Sequence, residues 1–248
     1  MSKGVETARL DRLLANMGYG SRREIGRMAK SGWLTLDGEV MKDEAVRVKL
    51  EPDLPTRLRV QGEPLDPLPG MIIMVHKPLG VTCSHKQAGP LIYDLLPARW
   101  RVRDPALSTV GRLDKETSGL ILMTDDGDML HRIISPKRHV PKRYVVGLDR
   151  PLKGNEAAIF GAGTLMLEGE TSPLLPAELD VTGERTARLT LHEGRYHQVR
   201  RMFAAIGNHV VSLHRDRIGA LDLPEDLPAG EYRLMTEADI AGVFAASI

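Results

Sequence analysis

The chain has 248 residues, 42% of them hydrophobic and 27% charged, which fits an ordinary globular protein and excludes disordered, collagenous and fibrous classes. No apolar stretch reaches the length of a membrane span, and the start, MSKGVETARLDR, lacks the apolar core of a signal peptide. The net charge of +1 argues against a uniformly basic nucleic-acid binder, and the single cysteine, Cys83, excludes an internal disulfide, so a reducing cytoplasm is the expected compartment.

Taken in order, residues 9–17 place Leu10, Leu13, Leu14 and Met17 on one face of a helix that Gly18 terminates. Ser21-Arg22-Arg23-Glu24 has the form of a capping box opening a second helix, with Ile25, Met28 and Ala29 inward. Arg9 and Arg12 precede that box, and Arg22, Arg23, Arg27 and Lys30 decorate the helix behind it. Residues 33–42 then form two short strand-like runs around Asp37-Gly38, a hairpin signal. The stretch 61–70, QGEPLDPLPG, holds three prolines and two glycines and is expected to act as a linker, because proline blocks helix and central-strand continuation. A small unit over 1–66 is therefore expected, with a linker to about 70 and a larger unit over 71–248.

The larger unit opens with an apolar strand running into Lys77-Pro78 and Gly80. His76 has no second ligand at metal-binding spacing. Residues 111–127, GRLDKETSGLILMTDDG, put Asp114 between Arg112 and Lys115 in a loop that enters the apolar run Leu120–Met123. A charged loop on a buried strand holds one acid on a rigid support. The acids of residues 124–128 are not spaced like a calcium loop and are read as a turn and a helix start, with the helix over 128–134. Lys142, Arg143 and Tyr144 then open a strand. Gly161-Ala162-Gly163 precedes no helix in a strand–helix unit, so no dinucleotide site is expected. Farther on, Val199, Met202, Phe203 and Ile206 recur at helical spacing, and Gly207 stops that helix. Val211 and Leu213 start an alternating strand carrying Arg215 and Arg217.

Basic residues are concentrated in three runs. Arg9 to Lys30 holds six basic and two acidic residues, His131 to Arg143 five and none, and Arg195 to Arg217 five and one, while six acids lie after Gly219. Such a distribution can present a positive face to a polyanion.

Two helices followed by a turn-linked hairpin, with basic residues on the helices, resemble the alpha-L RNA-binding module, also called the S-four domain. The GRLDKETSGLILMTDDG loop resembles the signature of the pseudouridine synthases that modify ribosomal RNA. The Lys77-Pro78-x-Gly80 turn and the segment containing RYHQV, RMFAAIGNHV and LHRDRIG match that family's other signatures in the expected order, over essentially the whole chain. The wording of the last segment is most similar to the small-subunit branch.

The resemblance implies an α+β protein, with a small N-terminal alpha-L domain and a larger catalytic domain built on a mixed, mainly antiparallel sheet. It implies isomerisation of a uridine in 16S ribosomal RNA, free or in a partly assembled particle, with Asp114 as the essential carboxylate. A basic side chain at Arg200 is implied to pair with it, and Tyr144 to pack on the target base. Attack on the sugar, attack on the base and proton removal from the ribose all remain open for Asp114. Arg112 and Arg200 would favour its charged form, and Leu213 is the candidate apolar wall that keeps out water. RNA contacts are expected from the basic residues of the first two helices, from Arg112, Lys77, Lys142 and Arg143, and from Arg195, His197 and Arg201. No cofactor, metal or membrane is expected, and a monomer is. The alternatives are the same chemistry on 23S RNA, a catalytically dead RNA-binding assembly factor, and a glycoside hydrolase, which would need a second spaced acid.

Overall fold

The computed structural model describes residues 6–84, 88–135 and 138–245, so Lys137 of the basic run lies outside the described residues. The chain divides into two units. The first comprises Met1–Met71, Leu96–Ser108 and Thr124–Asp126, and the second Ile72–Leu95, Thr109–Met123 and Gly127–Ile248.

In the first unit, β1 (Thr7–Arg9) runs into α1 (Leu10–Asn16) and α2 (Arg22–Lys30) follows. The helical spacing holds: Leu10, Leu13, Leu14, Met17, Ile25 and Ala29 are buried in one apolar cluster. The Ser21–Glu24 capping box is present in both directions, satisfying helix-start amides that would otherwise lack partners. The hairpin of β2 (Leu34–Leu36) and β3 (Glu39–Val40) turns through Asp37 at φ 54° and Gly38 at φ 86°, the left-handed pair that a two-residue hairpin needs.

β4 (Arg47–Lys49) pairs with β1, and after α3 (Leu54–Arg57) the strands β5 (Leu58–Val60) and β6 (Glu63–Pro64) complete a four-stranded sheet in the order β3-β2-β5-β6. The proline-rich stretch is therefore more than a tether. Gln61 and Gly62, at φ 56° and 83°, turn a second hairpin, and Leu65 is in the core.

Two buried carboxylates organise this unit. Asp11 accepts from Arg9, from the Arg12 amide and from Arg22, whose Nη2 lies 2.6 Å away. Asp125, read from sequence as part of a turn, lies in a bend between strand and helix and is buried there against Arg103 at 3.2 Å, also accepting from the Gly70 amide.

The second unit is organised around a nine-stranded sheet. Its chain-order strands are β7 (Ile72–Lys77), β8 (Ser108–Thr109), β9 (Ser118–Thr124), β10 (Lys142–Leu148), β11 (Glu178–Gly183), β12 (Thr186–Leu191), β13 (Val210–Ile218), β14 (Leu221–Asp222) and β15 (Tyr232–Leu234). The main path is β11-β12-β10-β13-β9-β7-β15, with β14 on β13 and β8 on β9. Pairs β11–β12, β12–β10, β10–β13 and β7–β15 are antiparallel, whereas β13 and β9 run parallel. The fold is thus α+β with a mixed, mainly antiparallel sheet.

Among the described residues, four α-helices accompany the sheet: α4 (Gly127–Ile134), α5 (Glu156–Gly161), α6 (Gln198–Ala205) and α7 (Glu237–Phe244). One apolar cluster gathers Val146, Phe160, Leu189, Phe203 and Leu213, and another gathers Met74, Leu120, Leu122, Ile133 and Ile218. The expected alternation starting at Val211 fails locally. A register shift opposite Gly147/Leu148 leaves Val211 exposed while Val210 and Leu213 are buried, because a bulge inserts a residue and resets which side chains face inward.

Candidate active site

The second unit contains a cavity of about 530 Å³, within the usual range for a small-ligand site. Its walls are the Gly111–Asp114 loop, the end of α4, Lys142 and Tyr144 of β10, the His192–His197 loop, the start of α6, and Leu213, Arg215 and Ile218 of β13. Every one of these elements belongs to the same unit. The sheet therefore brings together residues separated by about a hundred positions, and Asp114, Arg112, Lys142, Tyr144, Arg195, His197 and Leu213 of the expected site all line one space.

The loop carrying Asp114 is held by its main chain. Lys77 is fully buried, and its Nζ donates to the carbonyls of Thr117 at 2.7 Å, Pro78 at 3.0 Å and, more weakly, Lys115 at 3.5 Å. The Gly80 amide also donates to Lys115 O. Arg200 donates through Nη2 to Glu116 O at 2.9 Å and through Nη1 to Val210 O at 3.0 Å. The Thr117 amide donates to Asp114 O. Each carbonyl from Asp114 to Thr117 thus has a donor, and the loop is rigid where its carboxylate must be aimed.

This arrangement corrects two expectations. Lys77 makes no surface contact with a ligand, because its ammonium is spent on buried carbonyls, and burial lowers its pKa. Arg200 does not pair with the Asp114 carboxylate: its planar fork spans two main-chain carbonyls instead. The basic side chain beside Asp114 is His197, with Nε2 3.4 Å from Oδ1. His197 sits in the left-handed region (φ 48°) at the N-cap of α6, which turns its ring back toward the loop. The exposed Tyr196 ring stacks on it at 3.9 Å between centroids. Nothing in the local spacing marks this pair, because the strained backbone that aims His197 is invisible in composition.

Asp114 is the available acid of the cavity. The other carboxylate in its lining, Glu193, is occupied by Arg195 Nε, Gln198 Nε2 and the Leu175 amide. Arg195 also donates to Glu170 and to the carbonyls of Ser172 and Pro173, and Arg201 donates to Glu170 and Glu168 O. Arg143 is paired with Asp216 and Asp222. These three expected RNA-contacting arginines are therefore engaged within the protein. Arg112 is exposed at the cavity, and Arg12, Arg23, Arg27 and Lys30 are exposed on the first unit.

Two further residues, both inside the matched signatures, bear on the site although neither was singled out for a role. Gly119 (φ +112°) sits in the parallel β9–β13 pairing opposite Arg215, and the Arg215 guanidinium is buried beside the cavity. Its only cue in sequence is a place on an alternating strand.

The sequence model of the RNA pseudouridylate synthase family matches residues 71–205, and that of the S4 domain matches residues 8–52. Ribosomal small subunit pseudouridine synthase A of Yersinia pestis is 42% identical over 241 residues, spanning 96% of this chain and 98% of its own length. The like-named protein of Escherichia coli strain K12 is 42% identical over 239 residues, spanning 95% and 99%. A pseudouridylate synthase of known crystal structure is 37% identical, with a TM-score of 0.66 and coverage of 95% and 99%.

Proposed function

The chain belongs to the RNA pseudouridylate synthase family, and from that premise we propose that it converts one uridine of 16S ribosomal RNA to pseudouridine, with Asp114 as the catalytic carboxylate. The observation that supports this reading is the clamped loop itself. It holds the Asp114 carboxylate, beside His197, at a cavity that Tyr144, the expected stacking partner of the base, also lines.

The target nucleotide must leave its stack to enter, at a cost of roughly a few kcal/mol. Leu191, Leu213 and Ile218 supply apolar wall, which limits capture of the detached base by water. Attack on the sugar or base and abstraction of a ribose proton all require the ionised form of Asp114. No atom is lost in the isomerisation, so it needs no redox partner. Cytoplasmic location follows from the proposed substrate and the single thiol, Cys83.

The small N-terminal domain, which we place at residues 1–66, docks the RNA through Arg12, Arg23, Arg27 and Lys30. Arg9 and Arg22 serve the buried Asp11 first, and add charge to that face as a by-product. Charge reversal at Arg23 and Arg27 together should weaken RNA binding and lower its salt slope by roughly two.

The decisive experiment is tritium release from 16S RNA labelled at uridine carbon 5. Asp114→Asn should reduce release to background while RNA affinity stays near that of the parent protein. Comparable turnover by the Asn variant overturns the assignment. Base-resolution mapping in a deletion strain identifies the RNA, and a lost pseudouridine in 23S rather than 16S RNA would reject the small-subunit target.

A further inference from the structure

Among the arginines of the second unit, Arg215 is unusual. It is 4% exposed, its Nε donates to Leu120 O at 2.8 Å, and its buried Nη2 has no hydrogen-bond partner among the described residues. Arg143, Arg195 and Arg201 all meet carboxylates. Arg215 meets the cavity instead, with Cζ 6.0 Å from the centroid of the Tyr144 ring, its cross-strand neighbour. A buried guanidinium donor left unpaired is costly in itself. A ligand in the cavity that Arg215 lines could supply the missing acceptor.

A second cation lies on the same surface. Lys142 lines the cavity two residues before Tyr144 on β10, so both side chains project from one face of the strand. Burial and the nearby Arg215 hold its pKa down to about 8. Neither acid of the cavity neutralises this pair: Asp114 is beside His197 and Glu193 is bonded to Arg195 and Gln198. Two desolvated like charges flank an aromatic ring in a partly apolar space. Such an arrangement is unfavourable until something with partial or full negative charge lies over that ring.

We propose that Arg215 and Lys142 bind the carbonyl oxygens of the extruded uracil and stabilise the negative charge it carries when its bond to the ribose breaks. The inference deepens the reading of the site given above and rests on it. Its chemistry balances within the nucleotide. The bond from ribose C1′ to N1 breaks with the electron pair going to the ring, so the charge spreads over N1 and the two carbonyl oxygens. The ring turns, the C1′–C5 bond forms, C5 loses its proton and N1 gains one. Donors aimed at oxygens where charge develops are most effective when fixed and shielded from water. Arg215 meets that condition, being locked at Nε with Nη2 free. A backbone phosphate is the poorer occupant, because it stays on the RNA chain outside, where the exposed Arg112 stands.

The test compares the parent protein with Lys142→Met, Lys142→Arg, Arg215→Lys and Arg215→Gln. Single-turnover tritium release is measured at saturating enzyme, and RNA affinity is measured separately by filter binding. The expected result is a fall of about 10²- to 10³-fold in the chemical step for Lys142→Met and Arg215→Gln, the usual effect of removing one such donor. RNA affinity stays nearly constant, and Lys142→Arg recovers most of the rate because it restores the charge.

A structural role would lower the melting temperature and affinity together, and rescue would not depend on charge. Should Arg215→Gln fail to fold for want of its bond to Leu120, Lys142→Met and Arg215→Lys decide the matter alone. Folded variants with parental rates overturn the inference. So does a loss confined to RNA affinity, which would assign the pair to a phosphate. A parent protein releasing no tritium from ribosomal RNA rejects the underlying reading, and this inference with it.

Discussion

Gly119 lies directly against the Arg215 backbone where β9 and β13 pair in parallel. A Cβ at Gly119 would come within 2.6 Å of the Arg215 amide nitrogen, and closer still to its carbonyl oxygen. The seam joins the end of the Asp114 loop to the strand that carries Arg215. Gly119→Ala should therefore cost about 2–4 kcal/mol, from the clash and the φ of +112° together. It should also abolish turnover in whatever fraction folds. Denaturant unfolding and tritium release measure both, and a variant of unchanged stability would show that the two strands part easily.

Lys77 stabilises the loop from beneath through the Thr117 and Pro78 carbonyls. Lys77→Met keeps the stem but leaves buried carbonyls without their donor, at a cost of about 1–3 kcal/mol. Because Asp114 stands on the loop so loosened, kcat should fall more than KM rises. Retention of full kcat in a less stable protein would separate loop anchoring from catalysis.

The alkaline limb of the pH–rate profile should report Lys142. Its pKa of about 8 lies below the free value, so the ammonium is present below pH 8 and is lost as pH rises through it. The charged and titratable groups lining the same cavity are Arg215, Arg112, Asp114, His139, Tyr144, His192, Glu193, Arg195, Tyr196 and His197. Chemical-step rates should decline above about pH 8, and Lys142→Arg should move that decline upward. An identical limb in the Arg variant would assign it to another group.

Acid should weaken the first unit through Asp11. Burial raises its pKa, but Arg9, Arg22 and the Arg12 amide outweigh burial and bring it to about 2, from an ordinary 3.8. A depressed folded-state pKa contributes stability that is complete above the unfolded value and lost as pH falls through the folded one. Unfolding monitored within this unit should therefore show a loss between about pH 4 and pH 2, worth about 1–2 kcal/mol after allowing for two partly exposed arginines. Asp11→Asn should flatten that dependence, and an unchanged acid transition would reassign it.

The local signals of this chain were legible because their physics is local. The Ser21–Glu24 box, the Asp37-Gly38 turn and the faces of α1 and α6 depend on residues a few positions apart, and each formed where spacing placed it. The QGEPLDPLPG stretch misled in part: its first residues close a hairpin, since prolines at a sheet edge break no ladder bond. Val211 misled through a bulge, which only pairing with β10 reveals. The partner chosen by a charged side chain was the least legible. Arg143, Arg195 and Arg201 look like free cations in sequence, yet each is taken by a carboxylate close to it in space.

From its order of residues alone, this protein was committed to two units, to helix starts and turns, and to one acid presented on a buried strand. Those depend on backbone preference and on the period of apolar side chains, which a linear chain carries openly. Tertiary structure decided which basic side chain stands beside Asp114, that Lys77 and Arg200 hold main-chain carbonyls, and that Arg215 lines the cavity with one buried donor unpaired. Such choices are made by distances of about 3 Å between residues far apart in the chain, and only the folded sheet sets those distances.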